Sequence, residues 1–206
     1  TISHCSVTHS GTAGLYIYEL SQPTISNSSI SDNATYGIQV YNDTGDPQIS
    51  DCSIQNNGSY AIQTYADNLK DITGINTISG NAHNSIRVNG DNVTTGTWLN
   101  HGVPYDFAGD VSVANGNILT IAAGDTIRFD GNYGMVVYGQ LSANGTNSEH
   151  ITITRSPTYG EYWKYIYFYY PDDTCNLSYC DITYGGSSSA AVYFSGSSNY
   201  VALDYC

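Results

Sequence analysis

Residues 25–41 read ISNSSISDNATYGIQVY and residues 49–65 read ISDCSIQNNGSYAIQTY, with only NDTGDPQ between them. The two stretches belong to a longer series. Ile2, Ile25, Ile49 and Ile72 each open a segment as Ile-Ser or Ile-Thr, at spacings of 23, 24 and 23. A second apolar position follows at Val7, Ile30, Ile54 and Ile78, and Asn33, Asn57 and Asn81 recur at 24 and 24. Pairs two residues apart close each unit: Leu15 and Ile17, Ile38 and Val40, Ile62 and Thr64, Ile86 and Val88. Tyr18, Tyr41 and Tyr65 come next. Apolar residues two apart, in short runs bounded by Gly, Asn, Asp and Ser, have the period of a β-strand. No helical period is present, so solenoids built from helix pairs are excluded.

The centre carries the same period in other residues. VSV at 111–113, LTI at 119–121 and IRF at 127–129 are matched by MVV at 135–137, LSA at 141–143 and ITI at 151–153, offset by 24, 22 and 24. Three strands in each 24-residue unit describe one coil of a three-sided solenoid. YIYFYY (165–170), NLSYCDIT (176–183) and AAVYFSG (190–196) continue the series.

On these repeats, and on residues 109–156 (GDVSVANGNILTIAAGDTIRFDGNYGMVVYGQLSANGTNSEHITITRS), the chain resembles the right-handed parallel β-helix repeat proteins of the pectate-lyase-like superfamily. The segment is similar to one that opens such helices in many bacterial secreted and surface proteins. The resemblance covers nearly the whole chain. It implies an all-β fold, a right-handed three-sided parallel β-helix of eight to nine coils (206/24) in one domain, 1–206. Residues 1–90 are read as regular coils, 91–110 as an irregular connection and 111–206 as further coils. Coils stacked about 4.8 Å apart give a rod about 40 Å long. For activity the resemblance implies a choice, because the fold hosts lyases, hydrolases, adhesins and structural modules.

Composition narrows that choice. Lys and Arg total 5 against 18 Asp and Glu, a formal charge of -13, which opposes nucleic acid and anionic membranes. No apolar run is long enough to insert in a bilayer. Hydroxyl and amide groups carry the polarity, and Tyr numbers 20. Such a surface fits an extracellular or cell-surface protein. The chain starts at Thr1 without Met, as a mature product or a piece of something longer does.

Candidate residues follow from the rows. Asn33, Asn57 and Asn81 are read as a structural amide ladder at a tight corner, where Asn also tolerates left-handed backbone. A ligand-binding row is the alternative. Tyr18, Tyr41 and Tyr65 form a row open to three readings: structural packing, a protein partner, or stacking on sugar rings. Cys5, Ser28 and Cys52 share an inner row of small residues. Cys180 and Cys206 lie 26 apart, about one coil, so an inter-coil disulfide competes with free thiols for them. No CxxC occurs and the His do not repeat with the Cys, so neither zinc nor any other cofactor is expected. Of seven Asn-x-Ser/Thr sequons, Asn42, Asn92 and Asn144 fall in expected loops and are the glycosylation candidates. The five basic residues, Arg87, Arg128, Arg155, Lys70 and Lys164, are scattered through the repeat. No motif of the family's enzymes is found, and a non-enzymatic role is favoured.

Both ends lie inside a coil. Cys175-Asn-Leu-Ser-Tyr-Cys180 resembles Cys206 followed by Thr1-Ile-Ser-His-Cys5, so the C-terminus runs into the N-terminus almost in register, although Leu203 also fits as the residue that opens the joining coil. The expected role is structural: a stalk, adhesin or filament, self-associating end to end or standing among tandem copies. A carbohydrate-binding or polysaccharide-cleaving module is the alternative.

Overall fold

The computed structural model describes residues 1–41, 45–196 and 201–206. They fall into two compact units, Thr1–Val88 with His101–Pro104, and Asn89–Asn100 with Tyr105–Cys206. Aliphatic rows fill the first, and the second adds buried aromatic rings to its aliphatic rows.

In the first unit, coil one holds β1 (Ile2–Ser3), β2 (Ser6–Thr8) and β3 (Leu15–Tyr18). Coil two holds β4 (Thr24–Ser26), β5 (Ser29–Ser31) and β6 (Ile38–Tyr41). Coil three holds β7 (Gln48–Ser50), β8 (Ser53–Gln55) and β9 (Tyr60–Tyr65). Coil four holds β10 (Ile72–Thr73), β11 (Thr77–Ser79) and β12 (His83–Asn89). Like strands pair in parallel, giving sheets β1-β4-β7-β10, β2-β5-β8-β11 and β3-β6-β9-β12. The register is that of the sequence repeat: Ile2 on Ile25, Ile25 on Ile49, Ile49 on Ile72; Val7 on Ile30, Ile30 on Ile54, Ile54 on Ile78; Leu15 on Ile38, Ile38 on Ile62. Ile25, Ile30, Ile38, Ile54 and Ile62 are wholly buried, while Ile2, Val7 and Leu15 in coil one are half-buried. A parallel coil covers its inward side chains only where a neighbour lies on both sides.

Two rows of corners turn these coils, and each uses left-handed backbone. His4, Asn27, Asp51 and Gly74 have φ of 54, 49, 53 and 64°. His9, Asp32, Asn56 and Gly80 have φ of 59, 57, 54 and 68°. Asn, Asp and His visit this region more readily than other residues with side chains, and Gly without strain. At Gly80 a Cβ would also collide with the Asn56 amide. The left-handed residue is thus the one before each ladder Asn, not the ladder Asn itself as expected. The ladder Asn keeps φ negative and turns its amide inward.

In the second unit the strands are β13 (Asn92–Val93), β14 (Gly96–Trp98), β15 (Tyr105–Phe107), β16 (Val111–Val113), β17 (Ile118–Ile121) and β18 (Thr126–Phe129). Then come β19 (Met135–Val137), β20 (Gln140–Asn144), β21 (Ile151–Arg155), β22 (Ile166–Tyr169), β23 (Cys175–Ser178), β24 (Cys180–Ile182), β25 (Val192–Ser195) and β26 (Val201–Asp204). They form β13-β16-β19-β22-β25, β14-β17-β20-β23-β26 and β15-β18-β21-β24. One inward row reads Val93, Val113, Val137, Phe168, Phe194; another reads Trp98, Ile121, Ala143, Leu177, Leu203. Trp98, Phe107, Phe129 and Trp163 form a chain of ring contacts at 5.3, 5.7 and 4.9 Å.

Residues 91–110, expected as an irregular connection, supply three strands in register with the next coil. Val93 lies under Val113, Trp98 under Ile121 and Phe107 under Phe129. The register steps, 20, 23 and 22 residues, depart from 24, and aromatic rings replace Ile.

Ile54→Ala empties a wholly buried position in a stacked row and is expected to destabilise the chain by about 2–5 kcal/mol. Ile75→Ala, at a site 84% exposed, is expected to leave stability unchanged. Urea denaturation of the two variants checks this; equal midpoints would contradict the stacked core.

Candidate functional site

The three ladder asparagines are buried and joined. Asn33 Nδ2 donates to Asn57 Oδ1 at 2.9 Å, and Asn57 Nδ2 to Asn81 Oδ1 at 2.9 Å. Each oxygen also takes a backbone N–H from the preceding coil: Ser10 N to Asn33 Oδ1 at 3.0 Å, Asn33 N to Asn57 Oδ1 at 3.2 Å, Asn57 N to Asn81 Oδ1 at 2.9 Å. Each amide nitrogen also donates to a carbonyl in the preceding coil, those of Val7, Ile30 and Ile54. Asn84 Oδ1 ends the ladder by accepting from Asn81 N at 2.9 Å. Every polar atom of the Asn57 side chain is therefore engaged, which leaves nothing for a ligand.

Tyr18 and Tyr41 stack at 6.2 Å and 11°, and Tyr16 joins both at 6.3 and 6.2 Å. Tyr65 is half-buried at the end of β9. A second stack, Tyr36, Tyr60 and His83 at 6.4 and 4.4 Å, escapes a search for repeated Tyr because its last member is His. In the second unit the outward face of β22 is tyrosine throughout. Tyr167 contacts Tyr165, Tyr169 and Tyr193 at 5.7, 5.4 and 4.7 Å; Tyr169 also meets Tyr138 at 5.5 Å and Tyr170 at 5.1 Å. The alternation in YIYFYY is the signal: Ile166 and Phe168 are buried, and the tyrosines between them point out.

All five cysteines stand as free thiols in this structure. Cys52, Cys175 and Cys180 are buried, Cys5 and Cys206 exposed. Burial pushes the Cys180 thiol up to about 12. The row of small residues also satisfies backbone amides. Cys5 N donates to Ser28 Oγ at 3.1 Å and Cys52 N to Asn76 Oδ1 at 3.0 Å. Of the glycosylation candidates, Asn92 and Asn144 are exposed, with amides bonded to Ser112 and to Ser142 and Ser178. Asn42 lies outside the described residues.

The basic side chains are all engaged. Arg128 grips the buried Asp106 through two bonds of 2.6 and 2.9 Å, Lys164 pairs with Asp110 at 2.8 Å and Lys70 with Asp67 at 2.7 Å. Arg155 lies 4.2 Å over the Tyr184 ring and Arg87 5.4 Å over that of Tyr60. Among the described residues no group of three or more His, Cys, Asp or Glu could hold a metal. No helix among them is long and apolar enough to cross a membrane.

The model of the right-handed β-helix region matches residues 1–101, and parallel coils make up the second unit as well. The chain is a right-handed parallel β-helix. It is consistent with the pectate-lyase-like superfamily. No curated protein and no solved structure matches it. What the β-helix offers chemically is a set of stacked rows: amides inside, phenols outside.

One carboxyl stands apart. Asp125 is buried, its Oδ1 accepts from Thr126 N at 2.8 Å, and its Oδ2 has no partner. Burial pushes its pKa up to about 7. The folded value lies above the unfolded one, so this carboxyl's contribution to stability is fully present below about pH 4 and is lost as pH rises through about 7. The loss is on the order of 4 kcal/mol. Melting temperatures from pH 4 to 9 are expected to fall for the wild type and to fall less for Asp125→Asn. Equal slopes would contradict the assignment. Asn57→Ala strips Asn33 of two partners and is expected to cost about 2–4 kcal/mol, whereas Asn144→Ala costs little; denaturant midpoints check both.

Proposed function

We propose that this β-helix is a structural module, outside the cell or at its surface, that continues end to end into a second copy of itself to build a stalk or filament. The supporting observation is a corner repeat that runs across the joint. Tyr179 and Tyr184 are left-handed, at φ of 48 and 57°, with Cys180 and Ile182 between them. Tyr205 is left-handed at 52° and His4 at 54°. If Thr1 of a second copy follows Cys206, those two residues are again five apart, with Cys206 matching Cys180 and Ile2 matching Ile182. Backbone geometry therefore aligns Cys206 with Cys180, whereas the residue pattern alone aligns it with Cys175.

Burial supports the same reading. Phe194 and Leu203 are 37% and 46% exposed, although the residues beneath them in the same rows, Phe168 and Leu177, are 1% exposed. In coil one Ile2 and Leu15 line an open cleft of about 450 Å³ with Ile17 and Ile25. Apolar rows and unpaired strand edges of this kind favour addition of a further coil. A heterologous contact that does not close yields a filament.

A second reading has one observation behind it. The tyrosines on β22 and its neighbours form an uncharged aromatic plate, a surface that can stack on sugar rings. A glycan array with wild type and Tyr167→Ala separates it from the first reading, since binding lost in the variant supports a carbohydrate module.

The end-to-end reading is checked by sedimentation velocity and electron microscopy over a concentration series. Species that lengthen with concentration, and are lost in Leu203→Asp, are expected. Monomers at every concentration would sink the proposal.

A further inference from the structure

β23 and β26 run in register, Cys175 on Val201 and Ser178 on Asp204. Each strand leads into a left-handed tyrosine, Tyr179 or Tyr205, and the two rings stack at 4.7 Å and 7°. One residue further on, Cys180 and Cys206 occupy the same place in consecutive coils.

Their thiols make the same contacts. Cys180 Sγ donates to Ser178 O, two residues back, and to Ala143 O in the coil before, both at 3.4 Å. Cys206 Sγ donates to Asp204 O, two residues back, and to Leu177 O in the coil before, both at 3.4 Å. The two side chains therefore point the same way and differ by one coil step, about 4.8 Å. Disulfides form across Cα separations of about 4.4–6.8 Å. The other thiols lack such a neighbour. In register, Cys52 lies between Ser28 and Asn76, and Cys175 lies under Val201.

We propose that Cys180 and Cys206 are an oxidisable pair that closes into an intrachain disulfide and clasps the last coil. That coil is the one a crosslink would secure, because among the described residues β26 pairs only with β23, and Leu203 within it and Tyr205 after it are exposed. The inference does not rest on end-to-end assembly.

A disulfide such as oxidised glutathione supplies the oxidant. The exposed Cys206 thiolate attacks one glutathione sulfur, forming a mixed disulfide and expelling a glutathione thiolate. The Cys180 thiol then loses its proton and attacks Cys206 Sγ, expelling the second glutathione. Two protein thiols are oxidised and one glutathione disulfide is reduced to two glutathiones. Burial of the Cys180 thiol, pushed up to about 12, makes the second step the slower one at neutral pH and faster as pH rises.

The test uses the full chain, dilute, treated with oxidised glutathione and mapped by mass spectrometry without reduction. The expected result is one peptide pair joining Cys180 to Cys206, two hydrogens lighter than the free thiols and lost on reduction. It forms faster at pH 9 than at pH 7 and is absent in Cys206→Ser. Oxidised wild type is expected to melt several degrees above reduced wild type, with no such gap in Cys206→Ser. A mixed disulfide that stops at Cys206, or a crosslink from Cys206 to any other cysteine, would overturn the proposal. The wild-type peptide map decides even if Cys206→Ser fails to fold.

Discussion

Parallel stacking at one coil per step forces each residue to lie on its own counterpart. A residue that suits the stack once must suit it in every coil, and a buried polar group must be satisfied by a copy of itself or by the backbone beside that copy. The asparagine ladder is the sharpest expression of this constraint. Asn33, Asn57 and Asn81 sit where three coils turn, away from water, with backbone N–H groups that no strand partner takes. Each side-chain oxygen in the middle of the ladder accepts two bonds from the coil before, and each side-chain nitrogen donates two. An orphaned buried amide costs about 1–3 kcal/mol, so the ladder removes a penalty that would otherwise recur in each coil.

The rest of the first unit is arranged around that corner. The small residues Gly37 and Ala61, each four after a ladder Asn, make room for it: a Cβ on Gly37 would press on Ile54, Ala61 and Asn57. The left-handed residue just before each Asn, namely Asp32, Asn56 or Gly80, aims the amide inward. The Ile rows then fill the space between corners, and the sheets hold them in register. In the second unit aromatic rings join the aliphatic rows in filling the core.

What the sequence made legible was whatever repeats by identity. Ile25 on Ile49 and Asn33 on Asn57 are visible because the same residue type meets the same demand. Rows that repeat by conformation were not visible. His4, Asn27, Asp51 and Gly74 share a φ sign but no chemistry, and Tyr36, Tyr60 and His83 share flatness but not a name. The strands within 91–110 were hidden because Trp98 and Phe107 replace aliphatic residues and the register steps vary. Asp125 gave no signal, since burial of a single carboxyl depends on what packs over it. Function meets the same boundary: stacked rows describe a scaffold well, and the outward faces, where partners would be met, need no repeat at all.

The most direct test of the ladder is hydrogen exchange at single-residue resolution, followed by NMR on the wild type. The backbone amides of Ser10, Asn33 and Asn57 lie at corners outside any strand, yet each donates to a side-chain oxygen one coil on. The account predicts that Asn33 and Asn57 exchange as slowly as the strand amides of Ile30 and Ile54. Exchange at the rate of solvent-exposed corner amides would contradict it.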